Sequence, residues 1–576
     1  MLVAGRWSRS KERMEGTLLL LLLGLLLVLP LLLVKLVVVN KYFPAAPWQP
    51  GKPPLRLPPG PRQLPVIGSL HHLLASRHGG LLHRAMRELS IQHGPVMLLR
   101  LGAVPTLVVS SAEAAREVLK THDAAFASRH QTPTLDVFSL GGRDILFSPY
   151  GELWRQLRRI CVLELFSARR VQSFRRIREE EAAGLLRSVA DSCAGGSAVV
   201  DIGERACRAM NDTVVRSAVG GRCARRDEFL RELHRAVVLT SGFNLADLYP
   251  SSRLVRRLSR ALRETERCNR NVRDIMGDII REQLQTAAGD GGRGEREEEE
   301  KDNNLLAVLL RLQRDGGDDA QCPLTTDVIS TVVLEIFSAG SETSATTLEW
   351  ALSELTRNPR VMRRAQAEMR EAFRGQRRLG EADTARLRYL PLVVKETLRL
   401  HVPVPFLLPR ECREACRVMG YDVARGTKVL VNAWAIARDA AYWGDPEAFR
   451  PERFEGGGGA VDFRGADMEF IPFGAGRRMC PGMSLGLVNM ELALAGLLYH
   501  FDWTLPDGDG KVLDMSEAFG ITVKRKSKLV LRATPRVPFS IRTAAAPGRH
   551  VWRSPADQDS GSTPAPDTSA RSCPES

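Results

Sequence analysis

The sequence predicts a mainly α-helical protein with a minor β part, built as one large domain behind an N-terminal transmembrane helix. Three observations support this prediction. Long stretches carry an apolar residue every three to four positions, only a few short segments alternate as strands do, and one uncharged apolar run lies near the start of the chain. Of the 576 residues, 44% are hydrophobic and 26% are charged, which is the balance of a folded globular protein.

The apolar run covers Leu18–Val34 and continues past Lys35 as Leu36–Val39. Together these segments approach the roughly 20 residues that span a bilayer. A cleaved signal peptide is the alternative, but the run is long for one and no small-residue cleavage site follows it. We therefore expect an uncleaved anchor over residues 14–40.

The start of translation is a separate question, because residues 1–13 precede a second methionine, Met14. A chain that starts at Met14 has no basic residue before the anchor, whereas Lys35 and Lys41 follow it. By the positive-inside rule, this charge distribution places the body of the protein on the cytosolic side. We therefore expect residues 1–13 to be an optional or non-native extension.

The rest of the chain divides by composition. Closely spaced prolines over residues 41–66 predict a semi-rigid hinge, and residues 67–540 form the predicted folded body. A glycine-rich and charged segment, 286–304, and the tail, 541–576, are predicted to be disordered.

Within the body, local patterns predict individual elements. The predicted helices are Ala112–Lys120, Arg169–Ala190 and Asp327–Leu355, and the predicted strands are Val96–Leu101, Thr106–Val109 and Lys428–Val431, of which the first two form a hairpin.

The formal charge of +15 is compatible with nucleic acid, an anionic membrane surface or an acidic protein partner. The arginines are interleaved with acidic residues and no nucleic-acid-binding motif is present, so we expect no nucleic-acid partner. The ten cysteines are irregularly spaced and form neither a zinc motif nor a disulfide framework, which indicates a reducing compartment.

One cysteine stands out because it lies in the sequence FGAGRRMCPG, from Phe473 to Gly482. Glycines allow backbone N–H groups to approach the sulfur of Cys480, and the two arginines favour an anion, so the surroundings are expected to stabilise a thiolate. A nucleophile would need a histidine base, and none lies near in sequence. Alternatively, Cys480 is the single thiolate ligand of a metal that a macrocycle already holds.

The pattern of Phe473, Gly476, Arg478, Cys480 and Gly482 resembles the haem-binding loop of cytochromes P-450. The resemblance covers residues 55–540 and is strongest to the plant family 71 group. It implies a single cytochrome P-450-type catalytic domain in which Cys480 is the axial ligand of the haem iron and Arg478 contacts a haem propionate.

A second motif, AGSETS at residues 339–344, lies inside a long helical pattern. A glycine in a helix interior costs about 1 kcal/mol relative to alanine, so Gly340 needs an explanation. A helix-packing contact is the ordinary one. The resemblance implies instead that Gly340 makes room over the iron and that Glu342 and Thr343 manage protons during oxygen activation.

A third motif pairs Glu396 with Arg399 in KETLR, a spacing that is usually a surface salt bridge. The sequence PERF follows at residues 451–454. In the family order, Arg453 then joins Glu396 and Arg399 in a buried structural cluster.

Further cations are implied to bind the haem. Trp154 and Arg158 lie four residues apart on one helix face, and Arg410 follows in LLPRE. The resemblance assigns all three to the propionates, which makes Arg158, Arg410 and Arg478 three cations for two carboxylates. For Arg410, a salt bridge to Glu411 or Glu414 is the alternative.

On this resemblance the protein is a membrane-bound monooxygenase of the endoplasmic reticulum, single-pass with a cytosolic catalytic domain. It would use haem b (iron protoporphyrin IX), O2 and electrons from NADPH through NADPH-cytochrome P-450 reductase, with cytochrome b5 as a second donor. The substrate would be a lipophilic plant specialised metabolite such as a terpenoid. Its pocket is expected at Thr132–Phe147, the helix before Gly340, Val402–Leu408 and Ala518–Val523.

Two alternatives are a reductase-independent haem-thiolate isomerase or dehydratase and a non-catalytic haem-binding protein. Relatives of the first kind generally lack the acid–threonine pair, and loss of Thr343 would indicate the second. The presence of Glu342 and Thr343 favours the monooxygenase.

Overall fold

The structure, a computed structural model, describes residues 55–538 apart from 196–197, 223–224, 242, 290–303, 316–321, 457–460, 507 and 509–511. The predicted anchor, the first part of the hinge and the tail lie outside the described residues, as does most of the segment 286–304. Within the described part, no helix combines the length and the apolar character needed to cross a bilayer.

Helices dominate the described residues, as predicted. They are α1 (Leu70–Leu74), α2 (Leu82–His93), α3 (Ala112–Arg116), α4 (Pro133–Phe138), α5 (Glu152–Ile160), α6 (Ala168–Ser173), α7 (Arg175–Ala194), α8 (Ile202–Val219), α9 (Arg226–Leu239), α10 (Leu245–Leu248), α11 (Arg253–Leu258), α12 (Arg260–Gly289), α13 (Leu305–Asp315), α14 (Thr326–Arg357), α15 (Pro359–Ala372), α16 (Glu381–Thr384), α17 (Tyr389–Leu400), α18 (Ala433–Ile436) and α19 (Met483–His500).

The strands are short. They are β1 (Val96–Leu101), β2 (Val104–Val109), β3 (Ser128–Arg129), β4 (Val199–Asp201), β5 (Arg410–Glu411), β6 (Cys416–Val418), β7 (Tyr421–Val423), β8 (Lys428–Val431), β9 (Phe501–Thr504), β10 (Glu517–Ala518), β11 (Lys524–Arg525) and β12 (Val530–Pro535).

The main sheet has five strands in the order β1-β2-β8-β5-β3. Strands β1 and β2 form the predicted antiparallel hairpin, and β8 runs parallel to β2 with Lys428 opposite Thr106. The predictions of the hairpin and of the strand Lys428–Val431 are therefore confirmed. Because β5 joins β8 to β3, the sheet brings Arg410 beside Arg129, from a distant part of the chain.

Two helix predictions were wrong in detail, because one predicted helix is interrupted and the other changes its geometry. The segment predicted as Arg169–Ala190 is two helices, α6 and α7, which meet at Phe174; this residue leaves the helical region with ψ 5° and buries its ring in the core. The segment predicted as Ala112–Lys120 begins as α3 and continues as a π-helical turn, Glu117–Thr121. In both cases tertiary packing overrides the local 3.6-residue period.

The longest helix, α14, runs through the core and positions the second motif. Thr325 caps its first turn, where its side chain accepts a hydrogen bond from the backbone N–H of Val328. The helix packs along α8 and contacts α17 and α19, so apolar side chains cover it on most sides. A helix that is apolar nearly all round must be buried.

The described end of the proline-rich hinge docks on the sheet. Leu98 donates a backbone hydrogen bond of 2.8 Å to the carbonyl of Pro59. Gly60 allows this approach, because a Cβ there would lie 2.2 Å from the carbonyl oxygen of Leu98.

Candidate haem-thiolate site

The cysteine loop is shaped by two glycines with left-handed backbone conformations, Gly474 (φ +71°) and Gly476 (φ +69°). A Cβ at Gly476 would lie 2.1 Å from the carbonyl oxygen of Leu119, so only glycine fits there. The backbone N–H of Cys480 donates to the carbonyl of Phe473 at 3.0 Å, and helix α19 begins three residues after the cysteine. The loop thereby holds Cys480 just before the N-terminus of the long, buried helix α19.

The protonation of Cys480 differs from the expectation. Burial raises the pKa of the thiol, and a hydrogen bond from the backbone of Gly482 and the charge of Arg158 only partly oppose this effect. The side chain is nevertheless solvent-accessible, which is the combination expected of a group that lines an internal space. The loop alone therefore does not stabilise a thiolate, whereas coordination of a metal ion deprotonates a thiol outright.

Arg478 belongs to the loop and its side chain is buried. It donates to the carbonyl of Ala127 at 2.7 Å and to that of Ile145 at 3.4 Å, and its guanidinium carbon lies 4.2 Å from the ring centroid of Trp154. Trp154 in turn donates its Nε1–H to Ile145 at 3.3 Å. The structure thus brings the predicted Trp154 and Arg478 into direct contact.

Arg158 lies on the same helix, α5, and is half-buried. Its side chain forms no hydrogen bond or ion pair with any residue that the structure describes. Burial lowers the pKa of its guanidinium, and the charges that oppose this are those of Cys161 and Cys480. Arg158 is therefore a cation near Cys480 with its donors free for an anion.

Arg410 is buried on β5 and its acid partner is not the one expected. Its guanidinium lies 3.5 Å from Asp123, while the alternative partner Glu411 lies 3.2 Å from His130. It also donates to the carbonyl of Ala475 in the cysteine loop at 3.1 Å. Asp123 additionally accepts from Arg477 at 3.0 Å, so Arg410 shares its one carboxylate.

The sequence analysis missed a fourth cation, Arg129. It is buried on β3 and donates to the carbonyls of Leu146 and Leu408 at 2.9 and 2.8 Å. Burial lowers the pKa of its guanidinium, and the nearby charges of Arg478 and Arg410 lower it further. No local pattern marks this residue, because a two-residue strand carries no periodicity.

The electrostatics of this arginine cluster, Arg129, Arg158, Arg410 and Arg478, test whether a haem fits. Burial together with the charges of Arg410 and Arg158 lowers the pKa of Arg478 to about 9, and burial lowers that of Arg410 to about 10. Guanidinium groups stay protonated, so such shifts measure a costly excess of buried positive charge. The two propionates of a haem would supply the missing negative charge. Together with Cys480, which could bind the iron, the arginine cluster therefore fits a haem.

The AGSETS motif lies in the middle of α14. A Cβ on Gly340 would lie 3.1 Å from a methyl group of Val214 on α8, so this glycine permits close packing of the two helices. On another face of the helix, Ala339 is exposed and Thr343 partly exposed. Thr343 donates from Oγ1 to the carbonyl of Ala339 at 2.7 Å.

Glu342 has a partner that the sequence did not indicate. Its buried carboxylate forms an ion pair with the Nζ of Lys524 on β11. Lys524 also lies 3.1 Å from the Nδ1 of His234, and burial lowers its pKa. Lys524 therefore holds the acid of the acid–threonine pair.

The third motif forms a buried ionic cluster. Glu396 accepts from Arg399 at 2.8 Å and from Arg453 at 2.9 Å, and the side chains of Glu396 and Arg399 are fully buried. Arg399 also donates to the carbonyls of Ala437 and Pro446, both at 2.8 Å. The cluster links α17 to the segment before the cysteine loop, and its role is therefore structural.

A cavity lies next to this site, and Leu407 connects them: it lines the cavity and would be 3.8 Å from a Cβ on Gly474. Three of the four predicted pocket segments contribute to its wall, through residues such as Leu135, Phe406 and Ile521. The helix before Gly340 does not line it, whereas β8 and Phe243 do. Its free space, counted together with the opening to solvent, is about 510 Å³, and most of its wall is apolar.

A helical fold that presents one cysteine beside a buried cationic cluster defines a haem-thiolate protein. The Cytochrome P450 family model matches residues 58–532. The chain is 50% identical over 488 residues to dolabradiene monooxygenase of Zea mays, covering 84% of this chain and 94% of that one. It is 44% identical over 487 residues to cytochrome P450 71D7 of Solanum chacoense, with coverage of 84% and 94%.

Among solved structures, a zebra fish cytochrome P450 with abiraterone superposes with a TM-score of 0.63 at 27% identity, covering 79% of this chain and 99% of the fish chain. The chain therefore belongs to the cytochrome P450 family, and it is a P450 monooxygenase.

Proposed function

We propose that this protein is a membrane-bound, NADPH- and O2-dependent monooxygenase that hydroxylates or otherwise oxidises a lipophilic plant metabolite such as a terpenoid. The observation that carries the proposal is the accessible Cys480 beside the arginine cluster, next to an apolar cavity. The maize relative is named for the oxidation of a diene, which agrees with the apolar wall.

Haem bound through a cysteine thiolate supplies the activation of O2, because the sulfur donates charge to the iron. The chain contributes the ligand, Cys480, and the cations that neutralise the propionates. On α14, Thr343 would hold or pass a proton through its Oγ1 once this hydroxyl leaves the carbonyl of Ala339. Glu342 is the nearby acid, and Lys524 sets its position.

Electrons would come from an acidic flavoprotein reductase. The guanidinium carbons of Arg413, Arg477 and Arg155 lie 5.2, 5.9 and 6.0 Å from the ring centroid of Tyr150. All three arginines are exposed, as is Arg159 on α5. This exposed basic face lies beside the cysteine loop, since Arg477 belongs to it, and it would attract an acidic partner.

The proposal is tested by reconstituting the purified full-length protein with a plant P450 reductase in lipid vesicles. We expect NADPH- and O2-dependent oxidation of at least one member of a panel of terpenoids that contains both hydrocarbons and carboxylic acids, and reduction rates that fall as ionic strength rises. Conversion of lipid or fatty-acid hydroperoxides without reductase, together with no NADPH-dependent product, would instead support the isomerase or dehydratase. Extraction of the native protein from membranes by alkaline carbonate would contradict the anchor.

A further inference from the structure

The cavity beside the haem-thiolate site contains one buried cation, Lys428. Residues alternate across β8, so Val429 and Val431 belong to a core cluster on one side of the sheet, whereas Lys428 and Leu430 line the cavity on the other. Lys428 is only 4% exposed. A lysine is rarely buried to this degree unless it is paired.

No carboxylate among the described residues forms an ion pair with Lys428. The two acids that could act as its counter-ion, Asp247 and Glu411, have other partners. Asp247 accepts from the hydroxyl of Thr134 and the side-chain amide of Asn244, both at 2.6 Å, and Glu411, opposite Lys428 in the sheet, lies 3.2 Å from His130.

What Lys428 does contact is an aromatic ring. Its Nζ lies 5.3 Å from the ring centroid of Phe243, which also lines the cavity. Burial lowers its pKa to about 8, opposed by the charge of Asp247, so the amine stays mostly protonated at neutral pH. A buried charge without a counter-ion costs stability, and a structural role does not explain why it is a lysine.

A second polar atom at this cavity also lacks a partner. The Nε2 of His130 is buried and has no hydrogen-bond partner among the described residues. Its Nδ1 faces the carboxylate of Glu411, which can only accept, so Nδ1 carries the proton and Nε2 is left free. His130 and Lys428 both line the cavity, together with the hydroxyl-bearing Thr240 and Ser241.

We propose that Lys428 is a specificity-determining residue that binds a carboxylate on an otherwise apolar substrate. This inference rests on the proposed function, because it places the substrate in the cavity that Leu407 connects to the cysteine loop. One cation can neutralise one negative charge, and most of the remaining wall is apolar, with residues such as Leu135, Phe406 and Ile521. A monocarboxylic acid with a large hydrocarbon body therefore fits, whereas a phosphate dianion would remain half uncompensated.

The test compares an acid with its own ester in the haem-loaded, full-length enzyme. Abietic acid serves as a tricyclic diterpene monocarboxylic acid and methyl abietate as its neutral counterpart, and binding is measured by the shift of the haem Soret band and by calorimetry. We expect the acid to bind about 10- to 100-fold more tightly than the ester, since a charge-assisted hydrogen bond to a buried ammonium is worth this much.

The variant Lys428→Met keeps the length of the side chain and removes its charge. It should lose this preference, retain binding of the ester, and melt at the same or a higher temperature than the unmodified enzyme, because an uncompensated buried charge is gone. Lys428→Arg keeps the charge and should keep part of the preference. The matched control is Lys395→Met, since Lys395 also lies over aromatic rings but pairs with Asp462 outside the cavity.

Each outcome decides between the two proposals. Equal binding of acid and ester by the unmodified enzyme, or an unchanged preference in Lys428→Met, overturns the role of Lys428 and leaves the proposed function intact. No binding of either compound overturns the role of Lys428, and failure to oxidise any terpenoid of the panel is a separate result that counts against the proposed function.

Discussion

Thr343 donates a hydrogen bond of 2.7 Å from its Oγ1 to the carbonyl of Ala339, one turn earlier in helix α14. Thr347 makes the same bond to Thr343 at 2.8 Å, but it is buried whereas Thr343 is partly exposed. Back-bonding of this kind is common for threonine within helices. The exposure of Thr343, rather than the bond, makes it the candidate for proton handling.

The first prediction concerns this pair of threonines. Thr343→Ala should keep haem and substrate binding, because the change is small and contacts neither Cys480 nor the arginine cluster. NADPH oxidation should continue while product per NADPH falls and hydrogen peroxide rises, since proton delivery fails. Thr347→Ala removes the same bond at a buried position and is the control. Equal product yield per NADPH in Thr343→Ala and the unmodified enzyme would assign Thr343 a structural role alone.

The second prediction tests the ligand. Cys480→His should remove the thiolate-type absorption of the reduced carbon monoxide complex, because imidazole donates less charge to iron than a thiolate does. Cys161→Ser is a control, since Cys161 is a second cysteine near Arg158 and, unlike Cys480, is buried. The assignment is wrong if Cys480→His retains the thiolate-type spectrum.

The third prediction concerns haem retention. Arg158→Ala and Arg478→Ala should lower the haem content of the purified protein, because each removes a cation that we assign to the propionates. Arg159→Ala is the matched control, as Arg159 is the exposed neighbour on the same helix. Absorbance per mole of protein measures the effect, and full haem content in both variants would refute the assignment.

The fourth prediction is about stability. Glu396→Gln should lower the free energy of unfolding by about 3–5 kcal/mol, because it leaves Arg399 and Arg453 without their carboxylate in a buried cluster. Glu264→Gln breaks an exposed ion pair with Arg260 and should cost less than about 0.5 kcal/mol. Denaturant melts of the two variants check the contrast, and equal losses would show that the cluster is not special.

The fifth prediction concerns pH. Burial raises the pKa of Asp144 to about 6, and burial and the neighbouring charge of Asp144 raise that of Glu335. Both acids therefore bind protons more tightly in the folded state, so the free energy of unfolding falls as pH rises from about 4 through 6 and above. Glu335 also accepts from the backbone N–H of Ile145 at 3.1 Å, a bond that glutamine can keep.

Accordingly, Glu335→Gln should flatten the loss of thermal stability between pH 5 and pH 8 and should be the more stable protein at pH 8. Melting temperatures of the haem-loaded protein over this range measure the effect. Glu266→Gln, on an exposed face of α12, should leave the slope as it is. A slope that does not change in Glu335→Gln would exclude this acid pair as its source.

Local sequence was sufficient where one short segment carries the chemistry. The loop from Phe473 to Gly482 contains both the candidate ligand and the glycines that shape it, so Cys480 could be proposed without coordinates. The acid–threonine pair and the Glu396–Arg399 pair are also local, each within one helix. Their order along the chain indicated the family, and the hairpin of β1 and β2 followed from its alternating pattern.

Only the tertiary structure decided which partners these groups have, since those partners come from distant segments. Val214 packs against Gly340, Lys524 forms an ion pair with Glu342, and Asp123 rather than Glu411 pairs with Arg410. Arg129 and Lys428 carry no local signal, because their significance is the burial of a charge, and burial depends on how strands and helices from the whole chain pack around it. Sequence alone therefore determined the kind of chemistry, and packing determined the surroundings that tune and select it.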